Sequence, residues 1–165
     1  MWSEDLCKER LRINMIAVLQ RVSGASVTVN DKVVGSCNAG LCILLGVSVN
    51  DTVEDAELLA SKIVKLRIFT DENDKMNLSV KDIGGGALVI SNFTLLANYR
   101  HGNRPEYMSA ARPELANQLY EYFKELLGKE VPVQGGVFGA HMHLHIENDG
   151  PVTIVMNSEE LKKKK

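Results

Sequence analysis

Ser91-Asn92-Phe93-Thr94-Leu95 follows directly on the apolar run Ala87 to Ile90, so two hydroxyls and an amide stand where a strand ends. A hydroxyl there could attack an acyl carbon. Neither Ser91 nor Thr94, however, sits in a glycine-flanked elbow, and no Ser/His/Asp order supplies a base. The backbone N–H groups of the same bend suit another task, because amide dipoles aimed at a carbonyl oxygen stabilise an oxyanion whatever the side chains are. The plain alternative is a strand terminus closed by local side-chain hydrogen bonds. A second segment, Asn148-Asp149-Gly150-Pro151-Val152-Thr153, specifies backbone shape. Glycine accepts angles closed to other residues and proline fixes φ while removing a donor, so the pair makes either a rigid ligand-gripping edge or an ordinary turn between strands. His141, His143 and His145 alternate and would share one face of a strand. On a straight strand they stand too far apart to hold one ion without curvature or outside ligands, so no metal is expected. Arg100, His101 and Arg104 cluster behind the first segment and could meet phosphates.

These residues need elements to position them. Ile16 to Val22 reads as a first strand, and Ala25 to Val29 reverses through Asn30-Asp31 into Lys32 to Gly35 as a hairpin. Gly40 to Val47 is nearly continuous in apolar residues, the pattern of a strand buried on both faces. Asp51 and Glu54 have capping-box spacing ahead of a helical stripe running to Leu66, with Lys62, Lys65 and Arg67 near its favourable end. Gly84-Gly85-Gly86 lacks the Lys-Ser/Thr ending of a phosphate loop and reads as a turn or bulge before the strand Ala87 to Ser91. A second helix opens at Pro113, carries Leu115, Leu119, Phe123 and Leu126 on one stripe, and stops at Gly128. A strand near Val131 to Gln134 and two final strands flanking Gly150-Pro151 complete a single α+β domain of antiparallel or mixed sheets and two main helices.

The chain's 165 residues, 45% hydrophobic and with only four prolines, suffice for one domain with a real core. Nineteen Lys plus Arg against 21 Asp plus Glu give no global attraction to nucleic acid, although that sum would hide a local basic patch. Cys7, Cys37 and Cys42 form no C-x-x-C unit and read as free thiols of a reducing compartment. No stretch approaches the roughly 18 apolar residues of a membrane span, and a cytoplasmic protein is expected. Residues 1–14 read as an extension, 15–158 as the domain and 159–165 as a basic tail, with Lys162 to Lys165 solvated.

From Met15 to about Ser158 the sequence resembles the D-aminoacyl-tRNA deacylase family. Val18-Leu19-Gln20-Arg21-Val22-Ser23, Lys65-Leu66-Arg67-Ile68-Phe69, Lys75-Met76-Asn77-Leu78-Ser79 and Ala111-Arg112-Pro113-Glu114-Leu115-Ala116 all look like family segments. Ser91 to Leu95 stands where the family usually has Ser-Gln-Phe-Thr-Leu, and Asn148 to Thr153 agrees with its Asn-x-Gly-Pro-x-Thr pattern. Three positions depart: Asn92 keeps the amide on a shorter arm, His141 stands where Asp is common, and Leu96 where Tyr is frequent.

The resemblance implies a homodimeric editing enzyme, a carboxylic ester hydrolase that releases a D-amino acid from tRNA for proofreading, with no metal and no cofactor. It implies active sites at the subunit interface, where the cis Gly150-Pro151 edge of one copy enters the other's pocket and rejects L-substrates by exclusion, leaving achiral glycyl-tRNA acceptable. The amides of Phe93 and Thr94 would hold the oxyanion while water attacks, with the Thr94 hydroxyl as the competing nucleophile. Ser91 and Asn92 would line the substrate pocket beside Gly150 and Pro151. Met142 would support it, Arg21 would brace the inserted edge across the interface, and Asn148 with Thr153 would fix its shape. A noncatalytic tRNA-binding protein is the alternative from another class, its contacts the Arg100 cluster and the helix lysines.

Overall fold

The computed structural model describes residues 13–162. Its main strands are β1 (Ile16–Val29), β2 (Lys32–Cys37), β3 (Gly40–Gly46), β6 (Gly86–Ser91), β7 (Val133–Gly135) and β8 (His143–Asn157), with β4 (Phe69–Thr70) and β5 (Met76–Leu78) lying between β3 and β6 in the chain. The main strands form a six-stranded sheet in the order β2-β1-β3-β6-β7, with β8 also paired to β1, while β4 and β5 make a separate small ribbon. Among the described residues the α-helices are α1 (Val53–Lys65), α2 (Pro113–Gly128) and the short α3 (Ser158–Lys162). The α+β expectation holds.

β1 organises the sheet. The reading of two separate strands around Gly24 is corrected to one strand of 14 residues. Its first half pairs antiparallel with β3, Ile16 opposite Gly46, and its second half with β2, Val29 opposite Lys32. The hairpin turn is the expected one, with Asn30 and Asp31 both at positive φ (50° and 63°), where their short polar side chains are tolerated. Continuity across Gly24 comes from β8, which pairs along both halves of β1 and holds them in line.

β3, β6 and β7 run parallel, and the resulting sheet curls until β2 nears β7. The close approach demands glycine: a Cβ at Gly35 would run into the Gly135 carbonyl. One core lies under the helices, where Leu19, Ile43 and Leu45 meet Leu59, Ile63, Leu119 and Phe123. A second, on the opposite face, contains Val22, Val27, Leu88 and Ile90 and is only partly covered by Met142, Leu144 and Ile146. Of the cysteines, Cys37 and Cys42 are free thiols, and burial pushes Cys42 up to about 12. Cys7 lies outside the described residues.

The cap of α1 sits one residue later than the spacing suggests. The Asp51 carboxylate is taken by the preceding turn, accepting the Ser48 N–H at 2.7 Å, so the helix starts from Thr52, whose N–H donates to Asp55 at 2.9 Å. Asp55 is wholly buried and also accepts from Ser158 (2.7 Å), Asn14 (3.1 Å) and Lys162 (2.9 Å), tying both ends of the domain to α1. Lys162 is therefore pinned rather than solvated, and Glu159 to Lys162 belong to α3. Apart from Ile13 and Asn14, the expected extension lies outside the described residues, as do Lys163 to Lys165.

Candidate active site

The parallel strands β3 and β6 end side by side, and at carboxyl ends of parallel strands a sheet leaves a crevice. Asn92 continues the ladder with its N–H to Leu45 O at 2.8 Å. The chain then leaves the sheet as a single 3-10 turn, Phe93–Leu96. Tyr120 of α2 braces β6 from behind, its buried hydroxyl donating to Val89 O at 2.7 Å. Burial there raises the Tyr120 phenol to about 12, so it serves as a donor and not as an acid near neutrality.

The turn opens onto a cleft of about 930 Å³. Ser91, Asn92, Phe93, Thr94 and Met142 all line it. Leu44, Ile90, Leu144 and Ile146 form the apolar floor, so the cleft is the uncovered end of the second core. Sequence reasoning does not place Tyr107, Arg112 or Phe138 here, and it weighs His141 as a metal ligand and as a departure from the family's usual Asp, yet all four line the cleft. The alternating pattern at 141–145 is a signal that Met142 and Leu144 face one way; the loop residues carry no such period. His141 and His143 stack edge-on at 5.0 Å, and among the described residues no group of three or more His, Cys, Asp or Glu side chains is arranged to hold a metal.

Asn92 occupies the turn in a specific way. Its Oδ1 accepts from the Thr94 N–H at 3.2 Å and from the Thr94 hydroxyl. The shorter amide arm therefore reaches back to its own backbone as a cap. Thr94's proton points at an amide oxygen, which is no base. The Phe93 N–H, by contrast, has no hydrogen-bond partner among the described residues, and Phe93 is 56% exposed, its ring packed edge-on against Tyr107 at 5.0 Å. An unpaired amide at the mouth of an apolar cleft is a ready donor to an incoming oxyanion.

Gly150 and Pro151 do not line their own chain's cleft. The expected pair of strands around them is one strand, β8, of 15 residues. Its pairing with β1 breaks where Arg21 intervenes between Gln20↔Thr153 and Val22↔Asn148, so residues 149–151 bulge outward as an exposed tip, with Val152 packed back against the core. The Gly150-Pro151 peptide is cis, and Gly150 has φ +145°, where a Cβ would press on Val152. Asn148 spans the bulge, its Nδ2 donating to Thr153 Oγ1 and its Oδ1 accepting from Val152 N–H, each at 3.0 Å. Within its own chain Arg21 already braces this edge. Arg21, 9% exposed, donates through Nε to Asp149 O and through a terminal nitrogen to Ile68 O, both at 2.9 Å.

A protein-family model described as D-Tyr-tRNA(Tyr) deacylase matches residues 18–157. A D-aminoacyl-tRNA deacylase of a Sulfurihydrogenibium species is 54% identical over 147 residues, spanning 89% of this chain and 100% of the relative. One from Chloroflexus aurantiacus is 55% identical over 149 residues, 90% of this chain and 93% of its own. Among solved structures, the c-Myc DNA Unwinding Element Binding Protein superposes with a TM-score of 0.81 at 41% identity, over 86% of this chain and 97% of that one. A probable eukaryotic D-amino acid tRNA deacylase shares the fold, with a TM-score of 0.73 at 17% identity over 87% and 98% of the two chains. Fold, cleft and relatives together define a small α+β hydrolase. The chain belongs to the D-aminoacyl-tRNA deacylase family.

Proposed function

We propose that the protein hydrolyses the ester between a D-amino acid and the terminal ribose of tRNA, and that it does so as a homodimer in which the Gly150-Pro151 tip of each copy closes the cleft of the other. The observation that carries the reading is a division within one chain. The cleft around Phe93 is open and the rigid tip lies outside it, four residues or about 13 Å along β8 beyond Ile146, the last cleft-lining residue of that strand. A second copy brings the two together.

In this site the ester carbonyl lies against the Phe93 N–H. Water adds to the carbonyl carbon and gives up a proton, the charge on oxygen is held by that amide with the Thr94 N–H turning from Asn92 to share it, and as the carbonyl re-forms the ribose oxygen leaves with the proton the water lost. The products are the free amino acid and tRNA. Thr94 is not the nucleophile, since its hydroxyl donates to an amide oxygen that cannot take the proton. The ribose hydroxyl beside the ester positions the water. With ester and amino group fixed, an L side chain would run into the tip, while a D side chain points away from it. Exclusion of this kind passes all D-amino acids and also glycine, so glycyl-tRNA is hydrolysed. An enzyme of charged tRNA works in the cytoplasm; no helix among the described residues is long and apolar enough to cross a membrane.

The test is paired hydrolysis of D-tyrosyl-tRNA and L-tyrosyl-tRNA by the purified protein with chelator present and spontaneous ester loss subtracted. Turnover of the D-ester alone is expected. Equal turnover of both, or of neither, overturns the reading.

A further inference from the structure

We propose that the loop Tyr99–Pro105 holds the phosphates of the tRNA strand leading into the cleft, with Arg100 and Arg104 as the phosphate contacts and Tyr99 as a stacking face for a base. The proposal rests on tRNA being the substrate and assigns the surface that receives it.

The loop is shaped before any ligand arrives. Asn98 and Glu106 close its base with two backbone hydrogen bonds of 2.8 and 3.0 Å, and Arg100 N–H donates to Asn98 Oδ1 at 3.2 Å. Gly102 turns the tip at φ +71°. Preorganisation lowers the ordering cost of binding a flexible strand.

Its chemistry suits a polyanion. Residues 99 to 105 carry two arginines and a histidine and no acid, in a chain whose formal net charge is -2. Among the described residues neither arginine forms an ion pair, so both guanidinium groups are available to a ligand. The nearest acid in sequence, Glu106, is engaged at the loop base, accepting Met108 N–H at 2.7 Å. Tyr99 is 78% exposed, a cost that an aromatic ring offsets when a base stacks on it.

The loop also continues the cleft. It begins just beyond the Phe93–Leu96 turn and returns through Tyr107, Ala110, Ala111 and Arg112, which are cleft wall. Arg100 is six residues from Thr94, so it lies no more than about 20 Å away, within reach of the last few nucleotides of a strand whose terminal ester sits in the cleft. A basic loop at that range meets the strand's backbone and reads no sequence.

Two substrates separate loop from cleft: D-tyrosyl-tRNA, and D-tyrosyl adenosine ester, which has no phosphates. In the Arg100→Ala/Arg104→Ala double variant the ratio of KM for the tRNA to KM for the ester should rise about tenfold. Binding of uncharged tRNA, followed by anisotropy across a salt series, should weaken similarly. Its log–log salt slope should fall by roughly 1.4, about 0.7 for each single-strand phosphate no longer neutralised. The Arg100→Lys/Arg104→Lys variant should keep the slope. An unchanged KM ratio and slope, or variants that alter only the dimer, would overturn the assignment. If the wild-type protein hydrolyses neither compound, the substrate reading fails while the binding series still decides the loop; a wild-type protein that turns over D-tyrosyl-tRNA with the same salt slope as its loop variants sinks the loop assignment alone.

Discussion

Thr94 separates two chemistries that one short motif allows. With its hydroxyl directed at Asn92 Oδ1, Thr94→Ala should keep hydrolysis of D-tyrosyl-tRNA within about tenfold, whereas loss of a covalent nucleophile costs a factor of roughly 10⁴ or more. Abolished turnover in a variant that still folds would restore Thr94 as the nucleophile. Asn92 permits the complementary experiment. Asn92→Asp preserves the oxygen that caps the turn, so its melting temperature should stay near that of the wild type, but a carboxylate beside the developing oxyanion should lower kcat about 100-fold. An unaltered kcat would mean that the oxyanion forms away from the Thr94 amide. Motif comparison shows that Asn92 is short; that the shortness lets it satisfy its own turn is visible only from hydrogen bonds made in the fold.

The N-terminus of α1 and the turn before it concentrate the molecule's buried charge. Asp55 is pushed up by desolvation, but the Lys162, Ser158, Thr52 and Asn14 hydrogen bonds outweigh this and bring it to about 2. A carboxyl with a depressed folded value stabilises above its unfolded value near 4 and loses that contribution as pH falls toward 2. Asp55→Ala should therefore cost about 3 kcal/mol at pH 7, read from urea unfolding, and less at pH 3. Asp51 behaves oppositely. Desolvation raises it to about 7, and its Oδ1 is buried with no hydrogen-bond partner among the described residues. Its contribution is complete below pH 4 and declines as pH rises through 7, so Asp51→Asn should be more stable than wild type at pH 8 and lose that advantage toward pH 5. A pH-independent difference would show that Asp51 does not titrate there. The sequence marks this helix by its stripe and acidic start, but which carboxylate caps it depends on the Ser48 turn claiming Asp51 first.

At the scale of the whole molecule, the proposed dimer sets the tip of one copy against the cleft of the other. Gly150→Ala places a Cβ against Val152 at a φ that alanine avoids, so the tip should shift and L-tyrosyl-tRNA should become a substrate, with D/L discrimination reduced on the order of tenfold or more. Mixing subunits tests the exchange directly. A Gly150→Ala copy paired with an Asn92→Asp copy should regain one site of wild-type selectivity, made of the intact cleft of the first and the intact tip of the second, in about half of randomly formed dimers. No regain on mixing would mean that each tip serves its own chain.

Local order was legible in the sequence. Asn30-Asp31 names its turn because few residues tolerate positive φ, and the run Gly40 to Gly46 and the stripes of α1 and α2 announce burial through their periods. The motifs Ser91 to Leu95 and Asn148 to Thr153 pointed to a family and its ester chemistry. Tertiary structure alone decided that β1 runs unbroken through Gly24, that Arg21 holds Asp149 across 128 residues of chain, and that Tyr107, Arg112, Phe138 and His141 share one cleft with Phe93. It also decided that the Gly-Pro tip stands outside its own cleft. The reason is physical: periodicity and turn chemistry act over a few residues, whereas register between distant strands is set by which faces the assembled sheet buries.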